Sequence, residues 1–310
     1  MTVAGVRPSV LAGLVGAGIG ASLSPQLHEC EADLHGLRLV YRLIDLEALG
    51  LDVGRAPDLL AAARQVGFAG LNITHPCKQV VLGHLDELSP DAAAVGAVNT
   101  VIFGGGRSVG HNTDWFGFAR SIERGLRNAA SRRVVLLGAG GAGAAVAYAI
   151  LRLGAGQVTV LDLDSRRTDA LVDRMRARFG AARVTGADLD RLQSCLATAD
   201  GLVHATPVGM AAHPGLPFPI EFLRSQQWVA DLVYAPLQTP LLRGARALGC
   251  RTLTGGGMLA FQAAEAFRLF TGIKPDADRM MRHFDAITGG RRGAQLAGDG
   301  PGWRVSEVPA

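Results

Sequence analysis

Residues 132–164, RRVVLLGAGGAGAAVAYAILRLGAGQVTVLDLD, constrain this chain more than any other stretch. A β-branched run leads straight into Gly138-Ala139-Gly140-Gly141-Ala142-Gly143, and an alanine-rich helical stretch follows before a second β-rich run. The spacing G-x-G-x-x-G says little alone in a chain with 41 glycines. Between a strand and a helix it says much more. The first glycine makes a tight turn, the second lets backbone approach a diphosphate, and the third lets helix and strand pack closely. Backbone N–H groups at the helix start then face the diphosphate. The segment predicts a βαβ dinucleotide-binding unit of Rossmann type.

The second strand ends at Asp162, about 20 residues beyond the glycines, where an acidic side chain accepts from ribose hydroxyls and repels a 2′-phosphate. Leu163 follows where an NADP site more often has Arg, and Asp164 adds a second negative charge. Arg166 and Arg167 stand close enough in sequence to meet a phosphate, or simply to open a solvated helix. The balance favours NAD over NADP.

Composition narrows the class. A chain of 310 residues exceeds the single-domain size of ~100–200, so two domains are expected. Charged residues at 19% and a mean hydropathy of +0.22 argue against disorder. No apolar run reaches the ~18 residues of a membrane helix. The opening MTVAGVRPSVLAGLVGAG is broken by glycine and shows no cleavage site, so it reads as a first strand rather than a secretion signal. A cytoplasmic protein without a membrane partner is the expectation. The net charge of +4 comes from dispersed arginines with no basic run interleaved with aromatics, so no nucleic-acid partner is expected. Cys30, Cys77, Cys195 and Cys250 form no CxxC pair, the 8 histidines form no ligand cluster, and no metal is expected.

Ahead of the glycine motif, strand and helix signals alternate, which predicts an α/β substrate domain with a mostly parallel sheet. VLAGLVG, LVYRLIDL and GLNIT read as strands. SPQLHECEADLHG reads as a helix with Ser24 as N-cap and Pro25 at the first helical position. LLAAARQVG reads as a helix, as does KQVVLGHLDELS after Pro76, and AVNTVIFGGGRSVGHNTD as a hairpin turning at 104–106. Beyond the motif, DGLVHATPVGM, QQWVADLVYAP and CRTLTGGGML supply strands, and two helices follow. The expected organisation is 1–117 as substrate domain completed by helices in 258–290, 118–257 as dinucleotide domain, and 291–310 as a disordered tail.

Polar clusters recur at the predicted strand ends: Ser22-Leu23-Ser24, Asn72 to Lys78, Asn99-Thr100 and Asn112-Thr113-Asp114. Singly, such residues cap turns. Together, beyond the carboxyl ends of an α/β sheet, they suit a small polyhydroxylated ligand bearing a carboxylate. Lys78 and Lys274 are the only lysines; the other cations are arginines. A lysine retained in such a composition marks a place where guanidinium will not serve, because only the ammonium readily gives up a proton. Lys274, in TGIKPD, reads as a loop cation. Lys78 paired with Asp114 reads as a proton-handling pair.

The set SLSPxxH, NITHPxK, GAVNT, GHNTD, GAGGAG, ATPVGM, Tyr234-Ala235-Pro236 with Thr239-Pro240-Leu241, and GGGMLxxQ, in order over roughly residues 10–290, resembles the shikimate/quinate dehydrogenase family. The resemblance implies hydride exchange between a nicotinamide and a ring carbon bearing a hydroxyl, with Lys78 and Asp114 as catalytic pair. It implies that Ser22, Ser24, Thr74, Asn99 and Gln262 bind the substrate's carboxylate and hydroxyls, with Tyr234 nearby. Thr206, Val208, Val233, Gly255 and Met258 would line the nicotinamide pocket. A monomer or homodimer acting on shikimate or quinate is implied.

Three departures stand out. Cys77 fills a slot the family often gives to a bulkier residue, as packing or as a thiol sensitised by Lys78. His204 replaces a common Asn. Gly20-Ala21 precedes Ser22 where many members carry a bulkier polar pair, which with Asp162 points to the NAD-using quinate/shikimate branch. Ser24 is the hydroxyl typical of biosynthetic members, so shikimate is the safer substrate. An NADP-dependent biosynthetic enzyme, an aminoshikimate-type dehydrogenase and a non-catalytic dinucleotide sensor are the alternatives. The sensor would be marked by loss of Lys78 or Asp114, and both are present.

Overall fold

The computed structural model describes residues 8–289. They form two compact units: one runs to Thr113 and includes Ala260–Gly289, and the other is Asp114–Leu259. The tail 291–310, expected to be disordered, lies outside the described residues.

In the first unit, β1 (Ser9–Gly16), α1 (Ser24–Leu34), β2 (Arg38–Asp45), α2 (Ala56–Gln65), β3 (Gly70–Ile73), β4 (Glu87–Leu88), α3 (Pro90–Val95), β5 (Thr100–Gly104) and β6 (Arg107–His111) follow in order. Their sheet has the order β2-β1-β3-β5-β6-β4. β1 runs parallel to β2 and β3, and β5 runs antiparallel to β3 and β6. Composition follows position. β1, flanked on both sides, is buried from Ala12 to Gly16, whereas the edge strand β2 buries Leu39 and Tyr41 and exposes Arg38 and Val40.

Two local expectations are corrected here. The stretch after Pro76 forms only a short 3-10 turn, Val80–His84, and the brief strand β4. In an α-helix the Lys78 carbonyl would accept from the Leu82 N–H. It accepts instead from Val98 N–H at 2.9 Å, and Leu82 N–H turns to the Gln79 carbonyl. A long-range backbone bond between two loops overrides a helical pattern. Ser24, expected as N-cap of α1, lies one residue inside it: Leu27 N–H bonds to the Leu23 carbonyl, so Leu23 is the cap. The Ser22 hydroxyl accepts from Ser24 N–H at 3.3 Å.

The second unit contains α4 (Asp114–Gly125), β7 (Arg133–Leu137), α5 (Gly141–Arg152), β8 (Gln157–Leu161), α6 (Ser165–Phe179), β9 (Val184–Gly186), α7 (Leu192–Thr198), β10 (Gly201–His204), β11 (Trp228–Asp231), α8 (Pro240–Ala247) and β12 (Arg251–Thr254). All its strands run parallel, in the order β12-β11-β10-β7-β8-β9. That is the doubly wound order of a Rossmann domain, with the switch point between β7 and β10. Both strands are almost wholly buried, as parallel strands covered on two faces must be.

α9 (Gly255–Thr271) and α10 (Ala277–Ile287) close the described chain. Phe267 and Phe270 of α9 join the first unit's core with Leu14, Leu39 and Tyr41. α10 is held by Glu31 of α1, whose side chain is 1% exposed. Glu31 accepts from Arg279 Nε at 2.9 Å and Nη2 at 2.7 Å, from Asp276 N–H at 2.8 Å, and faces His35 Nε2 at 3.0 Å. Burial pushes the Glu31 carboxyl up, but these hydrogen bonds outweigh it and hold it below the usual range. Its contribution to stability is therefore present above the pKa of an unfolded Glu, about 4.3, and is lost as pH falls below that. Glu31→Gln is expected to cost about 1–3 kcal/mol, since bonds to a charged group are weakened while Arg279 stays partly solvated. Thermal melts at neutral pH should show a Tm lower by several degrees, and wild-type and variant Tm should converge in acid.

Candidate active site

In the first unit the polar clusters are joined by one chain of hydrogen bonds at the carboxyl ends of β1 and β3. Ser22 Oγ donates to Ser24 Oγ at 3.2 Å, and Ser24 bonds in turn to the buried Tyr41 hydroxyl. Tyr41 Oη donates to Asn72 Oδ1 at 2.7 Å, and Asn72 Nδ2 donates to Thr100 Oγ1 at 2.9 Å. Thr100 Oγ1 donates to Asn99 Oδ1 at 3.1 Å, and Asn99 Nδ2 donates to Thr113 Oγ1 at 3.0 Å. Thr113 Oγ1 reaches Gln262 Oε1 at 3.3 Å. Ser22, Ser24, Asn99 and Gln262, singled out far apart in sequence, thus belong to one network.

The loop bearing the serines is pinned from below. Asp45, at the end of β2, accepts from Gly18 N–H at 2.9 Å and from Ile19 N–H at 2.8 Å. Thr74 follows β3, with its N–H on the Val15 carbonyl at 2.9 Å. Half-buried Lys78 lies in the turn beyond it, and Asp114, 5% exposed, opens α4 directly after Thr113. Lys274 is exposed between α9 and α10. Cys77 is fully buried in the core with Val15, Leu71 and Val81, and burial pushes its thiol up, so it packs rather than reacts.

Beneath the serines, His28 is completely buried, and neither ring nitrogen has a hydrogen-bond partner. Burial pushes its pKa down to about 3. The neutral ring stacks on Tyr41 with centroids 4.7 Å apart, beside Phe267 and Phe270. It behaves as an aromatic wedge that fixes Tyr41 under Ser24.

In the second unit the glycine turn sits at the switch point, following β7. Gly138 has φ +111°, closed to ordinary side chains, and a Cβ there would lie 2.8 Å from Ala205 backbone. A Cβ on Gly143 would lie 2.0 Å from the Gly138 carbonyl oxygen, so only glycine lets α5 pack this closely on the turn. A Cβ on Gly140 would meet nothing within 4 Å. The space before Gly140 is open while the turn behind it is tight, which fits a dinucleotide diphosphate laid on the start of α5. Ala139, Gly141 and Ala142 complete the turn. Asp162 Oδ2 accepts from Ala139 N–H at 2.7 Å and Oδ1 from Asp164 N–H at 2.9 Å, so the acidic residue also braces the glycine turn. Arg166 bonds to Asp164 through Nε at 3.1 Å and Nη2 at 3.2 Å, and Arg167 lies 3.8 Å from the same carboxylate.

Of the other residues assigned to the nicotinamide pocket, Thr206 and Val208 follow β10 and are partly buried. Val233 is 5% and Met258 9% exposed, and a Cβ on Gly255 would strike the Leu232 carbonyl at 2.2 Å. Tyr234 is 38% exposed. The sequence reading passed over Tyr41, Asp45 and Asp231 as site residues. Tyr41 and Asp231 are buried polar groups in apolar strands, LVYRL and QWVAD, and that mismatch was the available signal. Asp45 offered only its place at a strand end.

Comparison with known proteins agrees with this geometry. Residues 14–101 match the shikimate dehydrogenase substrate binding domain, and residues 255–283 match the shikimate 5′-dehydrogenase C-terminal domain. Residues 134–211 match the saccharopine dehydrogenase NADP binding domain. A shikimate dehydrogenase (NADP(+)) of Streptomyces avermitilis is 59% identical over 91% of this chain and 97% of its own. A quinate/shikimate dehydrogenase (NAD(+)) of Corynebacterium efficiens is 50% identical over 89% and 98%. Quinate dehydrogenase from Corynebacterium glutamicum in complex with NAD superposes with a TM-score of 0.84 at 48% identity, covering 90% of this chain and 100% of that one.

Proposed function

The chain belongs to the shikimate dehydrogenase family, and on that footing we propose that it is an NAD-dependent oxidoreductase interconverting shikimate and 3-dehydroshikimate, and also quinate and 3-dehydroquinate. The observation that carries this is that each unit by itself presents one half of what the reaction needs. The first presents a connected row of hydroxyls and amides suited to a polyhydroxylated carboxylate, and the second a glycine turn shaped for a dinucleotide.

When bound, the dinucleotide supplies the hydride acceptor or donor. The protein supplies position and proton transfer. Ser22 and Ser24, held by Tyr41 and the Asp45-braced loop, bind the carboxylate. Thr74, Asn99 and Gln262 orient the ring hydroxyls. The network partners of Ser22, Ser24, Asn99 and Gln262 fix which atoms remain to meet the ligand, so little reorganisation is needed on binding. Lys78, with Asp114, takes the hydroxyl proton as the carbonyl forms and returns it in the reverse direction.

The 59% identical relative is named for NADP(+), which gives the NADP reading a specific observation in its favour. The residues favour NAD. Asp162 and Asp164 place two carboxylates where a 2′-phosphate would lie, and Arg166 and Arg167 are both drawn onto Asp164. The protein is a small-molecule enzyme that acts in the cytoplasm as a monomer or homodimer. Separate incubations of shikimate and of quinate with NAD, with the products identified by NMR, test the reaction. Conversion of one ring CH–OH to a ketone is expected, and unchanged shikimate and quinate would overturn the reading.

A further inference from the structure

One buried polar cluster of the second unit is not absorbed by the roles above. His204, at the end of β10, and Asp231, at the end of the neighbouring β11, both have side chains with no exposure to solvent. His204 Nδ1 lies 2.9 Å from Asp231 Oδ1, and its Nε2 lies 2.5 Å from Thr206 Oγ1. Asp231 also accepts from Val233 N–H at 3.1 Å and from Thr239 Oγ1 at 2.6 Å. Thr239 is itself fixed, because its hydroxyl oxygen accepts from Leu242 N–H at 3.2 Å as it caps α8. Thr206 Oγ1 accepts from Val208 N–H at 3.3 Å. Thr206 also abuts the dinucleotide turn: its methyl lies 3.2 Å from where a Gly138 Cβ would stand.

The donor and acceptor count limits where the protons can stand. A carboxylate can only accept, so His204 Nδ1 carries the hydrogen that bonds to Asp231. With a single ring proton, held at Nδ1, Nε2 is an acceptor and the Thr206 hydroxyl donates to it. This is the arrangement by which an aspartate holds a histidine tautomer toward a hydroxyl in acyl-transfer enzymes, here with no nucleophilic task. One lone pair of Thr206 Oγ1 takes the Val208 N–H, the proton is committed to His204, and the remaining lone pair can only accept.

We propose that His204 and Asp231 are positioning residues that turn Thr206 into an acceptor-only group for the carboxamide N–H of the nicotinamide. The inference rests on the dinucleotide reading above and says which atom of the nicotinamide this chain recognises. His204 acts through Thr206 and does not itself touch the dinucleotide. If the imidazole instead donated to Thr206, the threonine proton would point outward and select the carboxamide oxygen.

The test compares binding of NAD and of 3-acetylpyridine adenine dinucleotide, which keeps the carbonyl but has a methyl in place of the amide nitrogen. Titration calorimetry on the full chain measures both dissociation constants without turnover. The wild type is expected to bind NAD roughly 3- to 10-fold more tightly than the analogue, the effect of one neutral hydrogen bond. Thr206→Val and His204→Leu should each erase that preference, the double variant should lose no more than either single one, and Thr206→Ser should keep it. If the wild type binds NAD but not more tightly than the analogue, or if Thr206→Val lowers both affinities equally, the assignment is overturned while the dinucleotide reading stands. Binding of neither compound to the wild type overturns both. If His204→Leu fails to fold, His204→Phe, which fills the buried space with a ring that accepts no hydrogen bond, takes its place with the same expected loss of preference.

Discussion

Replacing Lys78 with alanine is expected to lower kcat for shikimate oxidation by about 10²–10⁴-fold, the range that general acid–base groups contribute. Affinity for the dinucleotide should change little, because Lys78 belongs to the first unit and the glycine turn to the second. Lys78→Arg should fail almost as badly. A guanidinium preserves the charge but stays protonated, so it cannot take a proton from the substrate hydroxyl. If charge alone mattered, arginine would rescue. Steady-state kinetics of the two variants, with dinucleotide binding measured separately, make the distinction. Near-normal turnover of Lys78→Ala would remove it from the chemistry.

Asp162→Ala is expected to act twice. The carboxylate that favours ribose hydroxyls and repels a 2′-phosphate is lost, and so is the acceptor for Ala139 N–H in the glycine turn. The preference for NAD over NADP in kcat/KM should fall by about 10- to 100-fold, as expected for bonds to a charged group. The loss should come from weaker use of NAD as well as from better use of NADP. Asp162→Asn, which keeps an oxygen for Ala139 but removes the charge, should retain more NAD activity and still lose discrimination. An unchanged ratio in both variants would place the discriminating group elsewhere.

Much of this was legible in the sequence because its signals are local. A turn that needs φ +111° at Gly138 and close approach at Gly143 leaves glycines at fixed spacing. Strands buried on both faces leave continuous apolar runs such as VVLL. Pairing choices are not local. Residues 78–89 have a helical pattern, yet the Lys78 carbonyl is taken by Val98, and nothing near residue 78 announces that. Ser24 looked like a cap because its hydroxyl is of the right kind, but the first helical bond runs to Leu23.

The candidate site divides the same way. The residues proposed to face the ligand were singled out by chemistry and by family resemblance. Those that hold them were not. Tyr41 reaches Asn72 across 31 positions, and Arg279 reaches Glu31 across 248. His204 was noted only as a departure from a common Asn, and its link to Asp231 appears once β10 and β11 lie side by side. Such groups support a site through contacts that only the folded chain creates, and a one-dimensional pattern shows at most the polar residue, not its partner.

The central claim is that the first unit's network selects a hydroxylated ring and that Asp162 selects NAD. An initial-rate assay with shikimate and with quinate, each with NAD and with NADP, tests it most directly. Turnover of both substrates with NAD, and much slower turnover with NADP, is the expected result. Turnover confined to shikimate with NADP would contradict the account of Asp162, Asp164 and the two arginines.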